Sequence, residues 1–361
     1  MSTTEPRSIC IVLQDFALGG TERIALRLAR AWSEQGCAVT LFVGEARGAL
    51  AGLIGGSAVR VVVAPGDVRR RPGSVTRLGA AAARFLKAEP HDACFIPGNF
   101  HWNAIPPIAR LPKAVRPRIV AQVSAAISKP QRRGLRRLTF RWKLRYFLGK
   151  ADAVVALSDT ARDKARALTA TPVYTIPLPA LADDVPPPVP AQGRTILAAG
   201  RLVPEKGFQD LIAAFSLLDD REAHLLIVGE GPHRAELETL AADLGVGDRV
   251  SLPGFVEDIR PSLDRARLFV LSSHFEGYAA VVIEALAAGR PVVATDCTPA
   301  THELLTDMRF GVTVPIGDPS AMAKAIAQML ALPAPDPARL AATVERYRIG
   351  PVAHAYLALF G

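Results

Sequence analysis

Glu276 and Glu284 stand eight positions apart in HFEGYAAVVIEALAAGRPVVATDC, residues 274–297, a run otherwise dominated by small and apolar side chains. A carboxylate accepts hydrogen bonds from neighbouring hydroxyls, so one of the two could hold a ribose and the other a sugar. The run follows a strand, RLFVLSS at 267–273, and reads as a turn, HFEGY, then a helix from near Tyr278 or Ala279 that closes at Gly289. The first N–H groups of a helix lack intrahelical partners and carry partial positive charge, so this turn could also hold a phosphate. Gly277, Ala279 and Ala280 leave room for a ligand to approach that backbone. Each glutamate alone has a plainer reading. Glu276 could merely complement the helix dipole, a contribution of roughly 0.3–1 kcal/mol, and Glu284 could be an exposed helix residue. The apolar flanks of Glu284, Val281-Val282-Ile283 and Ala285-Leu286-Ala287-Ala288, argue against a simple solvent face.

A second stretch, AGRLVPEKGF at 199–208, sets Arg201 and Lys206 in a loop between a strand and a helix. Two cations at the carboxyl end of a strand suit a diphosphate and would offset the charge on a departing one; two solvated surface cations are the bland alternative. The loop is not a Walker A, which needs GxxxxGK[ST]. A third stretch, FALGGTER at 16–23, places Gly19 and Gly20 between the first strand and first helix, where backbone can approach a ligand. It is not a GxGxxG, so a dinucleotide oxidoreductase using Glu45 on a ribose has little support.

These loops need rigid elements behind them. The 361 residues are long for one core and comfortable for two domains, and with 50% hydrophobic and 21% charged residues the chain is globular in composition. Short apolar strands alternate with amphipathic helices, the pattern of parallel α/β sheets. The first unit is a strand at 9–13 and a helix carrying Ile24, Leu28, Ala31 and Trp32 on one face, with Gly36 closing it. Strands follow near 39–43, 59–63, 93–96, 118–123 and 153–157. Residues 171–190 hold seven prolines and read as a linker. A second series then begins with TILAA and a helix presenting Phe208, Leu211, Ile212, Phe215 and Leu218. Doubly wound sheets bind ligands at the carboxyl ends of their strands, where the three loops fall.

Together the motifs resemble the retaining glycosyltransferases of family four, also called group one, which have the GT-B architecture. The resemblance rests on Gly19-Gly20-Thr21-Glu22-Arg23, Gly200-Arg201-Leu202 with Glu205-Lys206-Gly207, Gly229-Glu230-Gly231-Pro232, and Ser273-His274-Phe275-Glu276-Gly277 running on to Glu284 and Gly289-Arg290-Pro291. It spans the C-terminal half and is thinner before it. The implied fold is two Rossmann-like doubly wound domains facing a central cleft. Residues 1–172 would bind acceptor, 173–193 would link, 194–335 would bind a nucleotide-sugar (UDP- or GDP-linked), and the helical tail 336–361 could return to the N-terminal domain. Arg201 and Lys206 would grip the donor diphosphate as leaving group. Glu284 would bind the ribose hydroxyls and Glu276 the transferred sugar, with backbone N–H groups of Tyr278 to Ala280 on phosphate or sugar. Gly19 and Gly20 would let the N-terminal loop close over the donor, and the main chain near Phe255 would touch the base. The chain departs from the family pattern where Tyr278 and Ala279 follow Glu-Gly, and where Ser124 stands at the place of a frequent histidine. His101, in PGNFHWN, is a nearby candidate for sugar contact. No carboxylate stands out as a covalent nucleophile, which favours departure and attack on one face of the sugar. The family needs no metal, and no cofactor is expected.

The net charge of +9 points to acidic partners. Residues 129–150, KPQRRGLRRLTFRWKLRYFLGK, hold nine Lys/Arg and no acid, with Leu135, Leu138, Trp142 and Tyr146 near one helical stripe. Such a helix suits an anionic membrane surface or a phosphorylated glycolipid acceptor; packing of its apolar face inward is the plain alternative, and no nucleic-acid motif accompanies the charge. Cys10, Cys37, Cys94 and Cys297 are scattered without metal spacing. No apolar run approaches the roughly 18–20 residues of a membrane span, and the N-terminus lacks signal-peptide features. A reduced, cytoplasmic setting is expected, peripheral on the inner face of the membrane. The expected activity is sugar transfer to a glycan or lipid-linked acceptor in cell-envelope polysaccharide or lipopolysaccharide synthesis. The alternatives are a GT-B epimerase or hydrolase, and a nucleotide-binding module without catalysis.

Overall fold

The structure, a computed structural model, describes residues 7–17, 19–124 and 135–361, the side chains of 135–141 excepted. Its chain divides into two units. The first runs to Ala182 and takes in Tyr347–Gly361; the second is Asp183–Arg346.

Seven of the described strands form the first sheet: β1 (Ser8–Leu13), β2 (Ala38–Val43), β3 (Arg60–Val63), β4 (Ala93–Ile96), β5 (Arg118–Val123), β6 (Ala153–Ala156) and β7 (Val173–Thr175). Their order is β3-β2-β1-β4-β5-β6-β7, and every pairing is parallel. Parallel strands need crossovers, supplied here by α1 (Gly20–Glu34), α2 (Ser74–Ala88), α3 (Ile105–Ala109), α4 (Leu135–Leu148) and α5 (Asp159–Arg166). With both faces covered, the central strands are near-continuous apolar runs: Ile9 to Leu13 and Ala93 to Ile96 are fully buried. β7 comes from the proline-rich segment. As an edge strand it needs hydrogen bonds on one side only, which its proline neighbours tolerate.

The second sheet has six strands, β8 (Thr195–Ala199), β9 (His224–Val228), β10 (Val250–Gly254), β11 (Leu268–Leu271), β12 (Val292–Thr295) and β13 (Gly311–Val314), in the order β10-β9-β8-β11-β12-β13 and again parallel. Its helices are α6 (Phe208–Ser216), α7 (Arg234–Asp243), α8 (Arg260–Arg265), α9 (Ala280–Ala287), α10 (Pro299–Leu304), α11 (Pro319–Ala331) and α12 (Pro337–Ala342). Phe208, Leu211, Ile212, Phe215 and Leu218 are all buried against it, the face the helical spacing predicts. Arg290 is fully buried and donates to the carbonyls of Ala266, Ala288 and Val189, so a cation fastens the end of the proline-rich segment to this unit.

The C-terminal tail is shared. α12 packs on α9 in the second unit, whereas α13 (Ile349–Phe360) belongs to the first. There Trp32 donates to Ala353 O at 3.0 Å and meets Tyr356 and Phe360 edge-on, and Gln122 Nε2 donates to the Tyr356 hydroxyl at 2.7 Å. No helix among the described residues is long and apolar enough to cross a membrane.

Candidate active site

In both sheets the strand order reverses direction once, between β1 and β4 in the first and between β8 and β11 in the second. Loops at such a switch point diverge to opposite faces and leave a crevice at the carboxyl ends of the strands. The three motif loops emerge there: the described residues 14–17 and 19 after β1, 200–207 after β8 and 272–279 after β11.

In the second unit, the turn Pro204–Lys206 ends at Gly207, whose φ of +61° is left-handed and favours glycine. A Cβ there would meet Ser272 O at 2.2 Å, so the turn lies flat against the end of β11. Lys206 Nζ then donates to Glu276 Oε1 at 2.5 Å, and Ser273 Oγ donates to the same oxygen at 2.9 Å. The pair is well shielded, with side-chain exposures of 22% and 15%, so the attraction is stronger than between two charges on an open surface. Arg201 is exposed and makes no ion pair among the described residues, leaving its guanidinium available to an anion. Glu284 is half-buried one turn into α9. α9 begins after Ala279, whose side chain cannot cap it, while Gly277 is exposed and Tyr278 O accepts from Ala280 N. Cations, carboxylates and a helix start thus converge on two adjacent strand ends. Phe255 follows β10 and is 64% exposed.

The first unit builds a different surface. Gly19 caps α1 in extended conformation and Gly20 opens it. His101 is fully buried: Gln14 N donates to its Nε2 at 3.0 Å, while its Nδ1 donates to Pro97 O at 2.7 Å. Burial, helped by the nearby Arg70 charge, pushes its pKa down to about 4, so the ring is a neutral structural bridge between the β1 and β4 loops. Ser124 Oγ lies 3.2 Å from Thr21 Oγ1, and Ser124 N donates to Asn99 Oδ1 at 3.0 Å. Both hydroxyls crowd Gly98, whose φ is +65° and whose Cβ would meet Ser124 Oγ at 2.4 Å.

Two clusters escaped the sequence reading. Arg70 donates twice to Asp15, at 2.8 Å each, and to Glu22 at 2.9 Å, and lies 4.8 Å over the Phe100 ring. Burial alone would raise the Asp15 pKa, but the Arg70 hydrogen bond, the Ala17 N–H and the Arg70 charge outweigh it and hold it below the ordinary value. Glu22 sits inside the quoted GGTER motif, yet nothing in Arg69-Arg70-Arg71 marks the middle arginine as its partner. The second cluster is a His274–Asp210 contact beside Lys206, at 2.5 Å.

Of the 129–150 stretch, residues 129–134 lie outside the described residues, as do the side chains of Leu135 and Leu138. Further along α4, Leu144 and Leu148 are buried, while Trp142 is 76% exposed and Tyr146 44%. The Trp142–Tyr146 side of the helix therefore faces outward, and the buried side is the one carrying Leu144 and Leu148.

Residues 193–332 match the family described as Glycosyl transferases group 1, and residues 18–179 match Glycosyltransferase Family 4. The chain belongs to the group 1 and family 4 glycosyltransferases. Within the family it is similar to the lipopolysaccharide core biosynthesis glycosyltransferase LpsE of Rhizobium meliloti (strain 1021), 38% identical over 142 residues, 39% of this chain and 41% of that relative. The match thus spans less than half of LpsE. Among solved structures, the apo form of the lipopolysaccharide outer core galactosyltransferase WaaB aligns with a TM-score of 0.75 at 15% identity, over 97% of this chain and 98% of that one. Anabaena HepE in complex with UDP and glucose aligns with a TM-score of 0.75 at 19% identity, over 97% and 98%. At these identities the likeness is one of fold, the GT-B pair of Rossmann-like domains.

Proposed function

We propose that this chain is a retaining, metal-independent glycosyltransferase that moves a sugar from a nucleoside-diphosphate sugar to a glycan or lipid-linked acceptor of the cell envelope. The observation that carries the reading is the Lys206–Glu276 pair at the β8/β11 switch point, with Arg201 exposed in the same loop as Lys206 and Glu284 on the helix that follows. Arg201 and Lys206 hold the diphosphate and stabilise the charge it gains as the bond to the sugar breaks. These two cations supply in the side chains what a divalent ion supplies elsewhere. Glu284 accepts from the ribose hydroxyls. Glu276, released from Lys206 when that ammonium turns to the phosphate, accepts from a hydroxyl of the transferred sugar. As the bond from the anomeric carbon to phosphate oxygen breaks, the acceptor oxygen bonds to the same face. The acceptor proton passes to the departing phosphate oxygen, and configuration is retained. LpsE, WaaB and HepE support the reading: two are named for lipopolysaccharide assembly, and one is seen with UDP and glucose.

The experiment incubates the protein with UDP-glucose, UDP-galactose, UDP-N-acetylglucosamine and GDP-mannose, with and without envelope glycolipid extract. Acceptor-dependent release of nucleoside diphosphate and an anomeric NMR signal matching that of the donor are expected. Release without acceptor points instead to a hydrolase, and an inverted signal removes the same-face mechanism. The outward Trp142 and Tyr146, beside Lys143 and Arg145, form the surface we assign to an anionic membrane on the cytoplasmic side. Trp32 and Trp102 are buried, so a blue shift of tryptophan emission on anionic, and not zwitterionic, vesicles is expected from Trp142 alone. A Trp142→Phe variant that keeps the shift contradicts this assignment.

A further inference from the structure

Asp210 lies in the first turn of α6 and His274 at the start of the β11–α9 loop, and neither has a role in the transfer step described above. Four contacts join their two segments. His274 Nε2 donates to Asp210 Oδ2 at 2.5 Å, and His274 N donates to Glu205 O at 2.8 Å. Ser272 Oγ donates to Lys206 O at 2.8 Å. Gly207 packs against both, with its Cβ position 2.2 Å from Ser272 O and 3.1 Å from the His274 ring. The seam thus ties the backbone of residues 205–207 to that of residues 272–274. Lys206 belongs to one segment and Glu276, two residues past His274, to the other, and their side chains meet at 2.5 Å.

We propose that Asp210 and His274 are positioning residues for the donor site. Their contact locks the turn carrying Lys206 to the loop carrying Glu276, fixing the ammonium where the diphosphate binds. This rests on the glycosyltransferase reading. A chain segment between a strand and a helix is otherwise free to swing, and a misplacement of about 1 Å at a reacting group can cost about 100-fold in rate. The His302–Asp296 pair, at 2.8 Å, is a control of the same chemistry: its side chains are 57% and 56% exposed, and it joins neither of these two segments.

The test measures binding of UDP, GDP, ADP and dTDP by calorimetry, alongside thermal unfolding. Asp210→Ala is expected to weaken the preferred nucleotide by about tenfold, or ~1.4 kcal/mol, with Asp210→Asn restoring most of the loss because its amide oxygen still accepts from His274. His302→Gln is expected to bind as wild type does. The decisive readout is the double variant: in a Lys206→Ala background Asp210→Ala should add nothing, since its effect passes through Lys206. Equal, additive losses in the two backgrounds, or a lower melting temperature with unchanged affinity, overturn the proposal. If Asp210→Ala fails to fold, His274→Phe, which keeps the ring volume and removes the donor, is read by the same criteria. A wild type that binds none of the four nucleotides sinks the glycosyltransferase reading and this proposal with it; a binding wild type with unaffected variants sinks this proposal alone.

Discussion

His101 and Lys206 show how differently two polar side chains near strand ends are used. His101 is buried with both ring nitrogens engaged and its pKa held at about 4, against an ordinary value of 6.5. Because the folded pKa is depressed, the unfolded chain binds the extra proton first as pH falls. The stability from the neutral ring is fully present above about pH 6.5 and drains as pH falls toward 4. Chemical denaturation at pH 7 and pH 5 should show a loss of about 2 kcal/mol from this group, which His101→Gln should reduce markedly. An unchanged pH dependence in the variant means that the ring is not the titrating group. The sequence made His101 a sugar-contact candidate because a lone histidine beside aromatics is ambiguous until its neighbours are known. The neighbours that decide its setting, Gln14 and Pro97, come from two different loops. The places of Arg201, Lys206 and Glu276 in loops between a strand and a helix were legible because their two segments carry strand, turn and helix signals in order. The Asp15–Arg70–Glu22 cluster was not, since it joins residues 48 and 55 positions apart.

At the scale of elements, the loop after β8 is set by one residue that cannot have a side chain. Gly207→Ala places a Cβ at a φ of +61° and against Ser272 O, a backbone atom that cannot step aside. A penalty of roughly 1–3 kcal/mol is expected, read as a lower urea midpoint, together with weaker nucleotide binding as the 204–207 turn lifts from β11. Wild-type stability in Gly207→Ala would show that the turn adapts at no cost. Strand and helix positions were readable because period and burial agree: Ile24, Leu28 and Trp32 are spaced for one helical face and all three are buried. α4 was only half readable. Of its stripe, Leu135, Leu138, Trp142 and Tyr146, the described side chains Trp142 and Tyr146 are exposed, while among the described side chains of the helix Leu144 and Leu148 are buried. A helix with apolar residues on more than one side does not declare which side meets the sheet.

At the scale of the whole molecule, two units share one chain, and the last helix belongs with the first. Tyr356 is the joint. Its hydroxyl accepts from Gln122 Nε2 in a fully buried setting, where Gln122 Oε1 already has no partner among the described residues. Tyr356→Phe therefore strands a buried amide and should cost about 1–3 kcal/mol. The chain's three tryptophans, Trp32, Trp102 and Trp142, all lie in the first unit. Urea unfolding followed by tryptophan emission thus reports on that unit alone, and its midpoint should fall in the variant. A midpoint that stays put would mean that α13 does not brace the first sheet through this contact. The tail's division was illegible in the sequence because α12 and α13 are both apolar and helical, and their partners, α9 and α1, lie far back along the chain.

The measurement that bears most directly on the central claim is calorimetric titration of UDP, GDP, ADP and dTDP into wild type, Lys206→Ala and Glu284→Ala. Hydrogen bonds to charged groups contribute about 1.5–3 kcal/mol each, so one nucleotide should bind wild type and lose roughly 10–100-fold in affinity with either substitution. Binding that is absent in wild type, or indifferent to both residues, would contradict a donor site at the ends of β8 and β11.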